Sequence, residues 1–336
     1  MDIKWFDSLW GRLYVAPSYQ CAVLQAAGSL LFAVVFTCFF TRAFTTLRSK
    51  AVPPGSGREP PAAPYWIPYL QHLPGFLSDP NGTFRRWHRS YPDTPFTLTM
   101  MNTKFHVFNS SATASYIFSR SRDFVFEPVV ASMMENGVNL PHVDRPKFQL
   151  PLKPHHLLSE KELLSRRFLS ENHSIYLKYL TSTLLEDVMK VYMEQFHSVL
   201  ADLFDVHSRE WVTVKYHELM RRTIFEASVV TFFGARLQAV WPNMWEDWKL
   251  FNDASFAGVR SNFSFYLRPK AFAARERMLR AFDKWVDCEL EAWPAADGVW
   301  SEKWGIKMNW EREELARNSG FSHRGRACLQ ASFLFV

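Results

Sequence analysis

From Cys21 to Phe40 the chain runs through twenty residues without a charge, interrupted only by Gln25, Ser29 and Thr37. A helix rises about 1.5 Å per residue, so ~20 apolar residues match the ~30 Å hydrocarbon core of a bilayer. The pattern predicts a membrane-spanning helix over residues 19–41. A cleaved signal peptide would start with basic residues and carry a shorter apolar core. Here the core begins late, after Asp2, Lys4, Asp7 and Arg12. Upstream, Trp5/Phe6, Leu9/Trp10 and Leu13/Tyr14 recur every four residues, which predicts an amphipathic segment over 1–18 lying on the membrane surface. Downstream, Arg42, Arg48 and Lys50 precede Pro53, Pro54, Pro60, Pro61 and Pro64. Residues 42–64 thus read as a basic stop and a proline hinge, with residues 65–336 as one large domain.

The domain begins with Pro64–Gly75 (PYWIPYLQHLPG), which has no helical period and is expected to be extended. Asp79–Tyr91 predicts a short helix with Phe84, Trp87 and Tyr91 on one face. Phe96–Met100 and Phe105–Phe108 predict two strands joined by a turn at Met101–Lys104, with Thr97/Thr99 and Lys104/His106 supplying the polar alternation. Ser111 is expected to cap a helix through Phe118. From Leu157 the period is helical. Ile175, Tyr179, Leu180, Leu184, Val188, Val191, Tyr192, Val199 and Leu203 form one stripe. Leu219, Ile224, Val229, Val230 and Phe233 form another, expected to stop at Gly234. Further helices are predicted over Trp241–Phe251 and over Ala271–Trp293, the latter ended by Pro294, and one capped by Ser322 runs through Cys328 to Val336. The predicted class is mainly α with a small β-sheet. The last helix reaches no polar turn, glycine or basic last turn. This predicts unmatched apolar surface at Phe333, Leu334, Phe335 and Val336, and a chain interrupted there.

Composition narrows the classes. The 336 residues are 48% hydrophobic, 16% aromatic and 21% charged, with a formal net charge of +6. Several of the positive charges flank the apolar run, so the balance does not point to nucleic acid. More Lys and Arg follow the run than precede it, which predicts that the domain faces the cytosol. The run Arg268, Lys270, Arg275, Arg277, Arg280 is interleaved with acids and reads as a solvated helix face, the other reading being a membrane-facing patch. Cys21 and Cys38 fall in the apolar run, and Cys288 and Cys328 are far apart, so neither a disulfide framework nor a zinc site is expected. Glycosylation triplets at Asn81, Asn109, Asn172 and Asn262 matter only for a lumenal domain.

The order of these features — anchor, basic stop, proline hinge, PYWIPYL, a helix starting at Asp79-Pro80, a two-strand hairpin — resembles the N-terminal part of microsomal cytochromes P-450. Glu135–Pro141 (ENGVNLP) and the helices from Leu163 to Trp293 look like a fungal branch of that family, distantly similar to its sterol- and prostanoid-oxidising members. Trp300–Val336 resembles the lead-in and first turns of the long helix that crosses the haem. The resemblance covers nearly the whole chain at the level of segment order. It implies the N-terminal portion of the cytochrome P-450 fold behind a single transmembrane helix, in the endoplasmic reticulum membrane. It further implies haem as cofactor, a reductase as electron donor, and oxidation of a lipophilic small molecule, in secondary metabolism.

The haem motif of that family, Phe-x-x-Gly-x-Arg-x-Cys-x-Gly, is met only at Phe321, Arg326 and Cys328, while Arg324 and Gln330 stand where glycines are needed. Cys328 therefore reads as a helix-core residue. The family's Glu-x-x-Arg pair has literal matches at Glu218–Arg221 and Glu314–Arg317, in segments that correspond to other parts of the fold. By resemblance, Arg166, Arg167 and Lys178 are candidates for clamping the haem propionates, with ordinary surface charge as the other reading. Aromatic residues in Phe251–Tyr266 would roof a lipophilic pocket or pack against membrane or core. The haem-ligand cysteine is expected to lie outside this sequence, so the chain would not hold haem stably. Two alternatives stand beside the monooxygenase: a catalytically inactive, truncated relative, and a Golgi-type transferase, which would need a metal-binding Asp-x-Asp that the sequence lacks.

Overall fold

The computed structural model describes residues 17–50, 59–92, 94–101, 103–120, 123–124, 127–149, 157–181, 183–203, 211, 213–258, 268–287, 293 and 298–335. The expected surface segment before residue 17, Cys288, Asn262 and, of the aromatic stretch Phe251–Tyr266, residues 259–266 lie outside them. The chain divides into two compact units, Met1–Phe124 and Val125–Val336, so the boundary falls inside the span read from sequence as one domain.

The first unit starts with α1, Pro17–Lys50, 34 residues long. Over Cys21–Ser49 its mean hydropathy reaches 2.1, and it is long and apolar enough to cross a membrane. At about 1.5 Å per residue its ~50 Å exceeds the ~30 Å hydrocarbon core. The stop region is therefore helical through Lys50, continuous with the apolar run. Leu73–Ser78 (α2) is helical, a correction to the extended reading of Pro64–Gly75. It precedes α3, Pro80–Ser90, which Asp79 caps by accepting from the Gly82 N–H at 2.8 Å. The hairpin pairs β1, Phe96–Met100, with β2, Thr103–Val107, in antiparallel register Thr97↔His106. The turn is shorter than expected, and Met101 adopts φ 44 to make it. Ser110 precedes α4, Ser111–Ser119.

β1 is buried on both faces, against the expected alternation: Thr97 is 2% exposed as well as Phe96 and Leu98. The cause is a covered strand edge. Thr97 N–H donates to Pro61 O (2.9 Å), Ala63 N–H to Thr97 O (2.8 Å) and His72 N–H to Thr99 O (3.0 Å). Segments on either side of the 65–71 loop thus satisfy the free edge. Phe84, Trp87 and Tyr91 pack together on the small core, as their spacing predicts.

The second unit is helical. It holds α5, Glu127–Ser132, continued by a π turn at Met133–Gly137; a 3₁₀ turn, Arg145–Phe148; α6, Glu160–Leu180; and α7, Leu184–Leu203. There follow α8, Tyr216–Val240; α9, Met244–Gly258; α10, Pro269–Val286; a short hairpin of β3, Trp300–Ser301, and β4, Gly305–Ile306; α11, Lys307–Asn318; and α12, His323–Ala331, ending in a 3₁₀ turn, Ser332–Phe335. The long stripe from Ile175 to Leu203 is two helices, broken after Leu180. Ser159 opens α6 with a reciprocal capping box to Glu162.

Gly234 does not end its helix. It kinks α8 at φ 74, ψ 170, and the helix runs on to Val240. The β3–β4 hairpin crosses at that kink. A Cβ on Gly305 (φ 69) would lie 2.3 Å from the Phe232 carbonyl, and one on Gly234 2.2 Å from Glu302 O. Only glycine permits both the backbone angle and the approach. Carbonyls of the turn before the kink are taken by side chains: Trp285 Nε1 donates to Phe233 O (2.9 Å), Trp300 Nε1 to Val230 O (3.4 Å), and Asn309 Nδ2 to Phe232 O. Around this crossing sits an aromatic core in which Trp285 meets Phe233, Phe282 and Trp304 edge-on.

Candidate functional site

The densest grouping of chemically able side chains gathers around α12. Ser322 caps it, its Oγ accepting from Gly325 N–H at 3.0 Å. Ser322 N–H donates to Asp144 Oδ1 at 3.1 Å and its hydroxyl donates to the other carboxylate oxygen. Asp144 is wholly buried, with Lys147 3.1 Å away. A carboxylate at a helix N-terminus meets unpaired N–H groups and the positive end of the dipole. One turn on, Arg324 donates to Asp283 and to Glu276. Arg326 and Arg317 converge on Glu313, at 2.7 and 2.9 Å, and that carboxylate is wholly buried.

Arg312 is buried as well, 4% exposed. Its guanidinium donates to Asn172 Oδ1 (3.3 Å), Asn309 Oδ1 (2.9 Å), Gln330 Oε1 (3.1 Å) and Leu329 O (2.8 Å). Tyr176 and Phe333 lie against its π face at 4.9 and 5.7 Å. Burial pulls its basicity down, while Tyr176 and Glu313 support the charged form.

Cys328 is fully buried, and its thiol donates to Val138 O at 3.2 Å. Burial, first of all, pushes its pKa up to about 12. The helical, buried reading of Cys328 thus agrees with the structure. Among the described residues no cluster of three or more His, Cys, Asp or Glu side chains could hold a metal ion.

A haem iron bound by sulfur needs an accessible thiolate. Cys328 offers a protonated thiol enclosed by helices, and Cys21 and Cys38 lie in the apolar run of α1. The described cysteines therefore do not fit haem ligation. Nor do the three basic candidates converge. Arg166 and Arg167 are exposed on α6, and Arg167 pairs with Glu171 at 2.7 Å. Lys178 stands about 18 Å farther along the same helix and pairs with Glu311 at 2.6 Å. Arg167 and Lys178 each hold an ion pair. In the Glu-x-x-Arg matches, Glu218 pairs with Lys249 while Arg221 lies over Trp245 and Trp248, and Arg317 serves Glu313.

Two sequence expectations are corrected here. Arg275 is 2% exposed and donates to Asn136 O at 3.2 Å, so the basic run of α10 is not wholly a solvated face. Phe333 is half-buried, stacked on Tyr176 at 5.9 Å and tilted against Phe232 at 4.6 Å, and Leu334 packs on the core. The apolar end of α12 is thus covered at these two positions. Sequence reading missed Asp144, Arg312 and Glu313. Each has one partner three or four residues away, Lys147, Asn309 and Arg317, but Ser322, Gln330 and Arg326 join them from another element. The Ser322 cap was a further local signal.

An open cleft of about 520 Å³ flanks α10, with Trp241 and Asp247 on one side and Arg277, Arg280 and Lys284 on the other. Arg277 is committed to Asp247 at 2.5 Å. Comparison with protein-family models and with curated proteins yields no match to this chain.

Proposed function

We propose that this chain is a single-pass protein of the endoplasmic reticulum membrane, and that residues 65–336 correspond to the substrate-side part of a haem-thiolate monooxygenase acting on a lipophilic small molecule. The observation that carries the reading is an element order: a long apolar helix, a capped short helix, a hairpin, then successive helices ending in α12. That order follows the segment order of microsomal cytochromes P-450. A reductase would supply electrons to such an enzyme.

The residues in hand support a second reading of the same lineage, a catalytically inactive relative. The specific observation is Cys328, whose sulfur is spent on the Val138 carbonyl. The purified chain is expected to give no thiolate-type Soret band in a reduced carbon-monoxide difference spectrum. Such a band, abolished by Cys328→Ala, would overturn the inactive reading. Alkaline carbonate should leave the protein in the membrane pellet, and endoglycosidase should not shift its mass. A mass shift would put the domain in the lumen and favour the Golgi-type transferase.

A further inference from the structure

We propose that Trp66, Ile67, Tyr69 and Leu70 form a second membrane contact, a wedge seated in the headgroup layer and clamped to the anchor helix through Arg42. The proposal rests on the reading of α1 as a membrane anchor. One stripe of α1, Phe39, Arg42, Thr45 and Ser49, meets the rest of its unit. Phe39 touches the Trp66 ring edge-on at 5.3 Å. Arg42 lies between two indoles, 5.6 Å from the centroids of both Trp66 and Trp87, and donates to Pro64 O. Thr45 meets the Tyr65 backbone at 3.3 Å, and Ser49 shares a 2.8 Å hydrogen bond with the Tyr91 hydroxyl. A guanidinium between two aromatic faces with a carbonyl acceptor is held firmly.

This stripe sets depth. Phe39 belongs to the uncharged run that ends at Phe40. A ring against it stands where hydrocarbon gives way to headgroups, the level that Trp and Tyr favour. Ser49 lies about 15 Å farther along the axis, which puts Tyr91 and the end of α3 out toward water. At the Trp66 level the loop turns its apolar groups outward: Trp66 is 47% exposed, Ile67 37%, Tyr69 68% and Leu70 38%. Four adjacent exposed apolar side chains in one loop are unusual for a surface facing water. Backbone geometry fixes that presentation. Gln71 N–H donates to Ile67 O at 2.8 Å, and Tyr69 and Gln71 both hold positive φ, 63 and 56. Two non-glycine residues in the left-handed region carry a conformational cost that a random surface loop would relax.

The occupant is therefore the bilayer already engaged by α1, whose apolar surface is continuous with the loop at Phe39. Arg42, read from sequence as a stop charge, acts as the clamp that aims the wedge.

The test places a photo-crosslinking benzoylphenylalanine at Trp66, Tyr69 or Leu70, one at a time, in the full chain reconstituted into phosphatidylcholine vesicles. Arg89, exposed near the water-side end of α3, is the control. Lipid adducts are expected at all three loop positions and none above background at Arg89, with the protein retained in the carbonate pellet. Arg42→Gln should lower the adduct at Tyr69 while leaving the chain in the pellet. A pelleted chain without loop adducts overturns the wedge and leaves the anchor standing. Equal adducts at Tyr69 and Arg89, or adducts to protein in place of lipid, also overturn it. Release by carbonate removes the anchor reading and the wedge together.

Discussion

Arg42 in the first unit and Arg312 in the second both leave water, in different company. Arg42 has two indole faces and one carbonyl around it, and its surroundings open onto exposed aromatic side chains. Arg312 has four oxygen acceptors from α6, α11 and α12 and is closed over by Tyr176 and Phe333. The difference separates two uses of a cation. In the first unit it holds a small hairpin core to the outside of an apolar helix. In the second it fills the hydrogen-bonding needs of a buried polar layer, so that loss of the cation strands its partners. Perturbing the second unit should therefore cost global stability, while perturbing the first should act locally, on the contact between the hairpin core and the apolar helix.

The largest effect is expected from Gly305→Ala. The added Cβ would collide with the Phe232 carbonyl at 2.3 Å, at a φ of 69. Left-handed strain and overpacking together should cost about 3–5 kcal/mol. Urea unfolding in detergent micelles, followed by tryptophan fluorescence, reads it. An unchanged midpoint would mean that the hairpin does not cross the kink.

Arg312→Met comes next. It leaves Asn309 Oδ1 and Gln330 Oε1 without the Arg312 donor, at roughly 2–4 kcal/mol for stranded buried acceptors. Arg42→Met loses two cation–π contacts and one hydrogen bond, and should cost roughly 1–2 kcal/mol at most. The contrast is the test: equal losses in the two variants, in the same unfolding assay, would erase the distinction between the units.

Much of this difference was legible in the sequence on the first unit and little of it on the second. The apolar run, the helix start at Asp79-Pro80, the aromatic face of α3 and both strands follow from local spacing, because their stabilising partners are near neighbours in the chain. Arg42 looked like a stop charge because its aromatic partners come after the proline segment. In the second unit, helix existence was readable from period, but boundaries were not. Gly234 looked like a terminator because the donors that satisfy the carbonyls before the kink, Trp285, Trp300 and Asn309, come from 50 or more residues away. Asp144 offered only the nearby Lys147, because the partner that places it, Ser322, lies 178 residues on. The propionate candidates came from resemblance alone; in the structure Arg167 pairs with Glu171 and Lys178 with Glu311.

Cys328 sharpens the picture of the second unit as closed. With the thiol pushed up to about 12 by burial, it should resist alkylation by iodoacetamide in the native chain at pH 8 and react on unfolding. Cys328→Ala should cost only about 1 kcal/mol, the loss of a small buried group and a weak hydrogen bond. Rapid native labelling, located by peptide mass spectrometry, would contradict the enclosed geometry.

The smallest effect is a pH dependence confined to the first unit. His72 is buried between the rings of Tyr65 and Trp87, with Arg42 the nearby charge. Burial, then the field of Arg42, lowers its pKa from the ordinary 6.5, although the Thr99 backbone favours the protonated ring. A base whose pKa is depressed on folding binds its proton more readily when unfolded. Its contribution to stability is therefore complete above about pH 6.5 and is lost as pH falls toward the folded pKa. Glu59, drawn down by Lys104, is exposed and titrates only in the more acidic carboxylate range, so it does not contribute at pH 5–6.5. The local readout is the Thr99 amide, which donates to His72 Nδ1 at 3.1 Å. Protonation removes that acceptor, so the Thr99 amide should lose protection from hydrogen exchange, after correction for intrinsic rates, as pH is lowered from 7 to 5. His72→Asn, which keeps an acceptor near the same place but cannot titrate, should abolish that loss while sparing the second unit. Equal pH dependence in the two proteins would assign the effect to some other group and leave His72 a purely structural wedge between Tyr65 and Trp87.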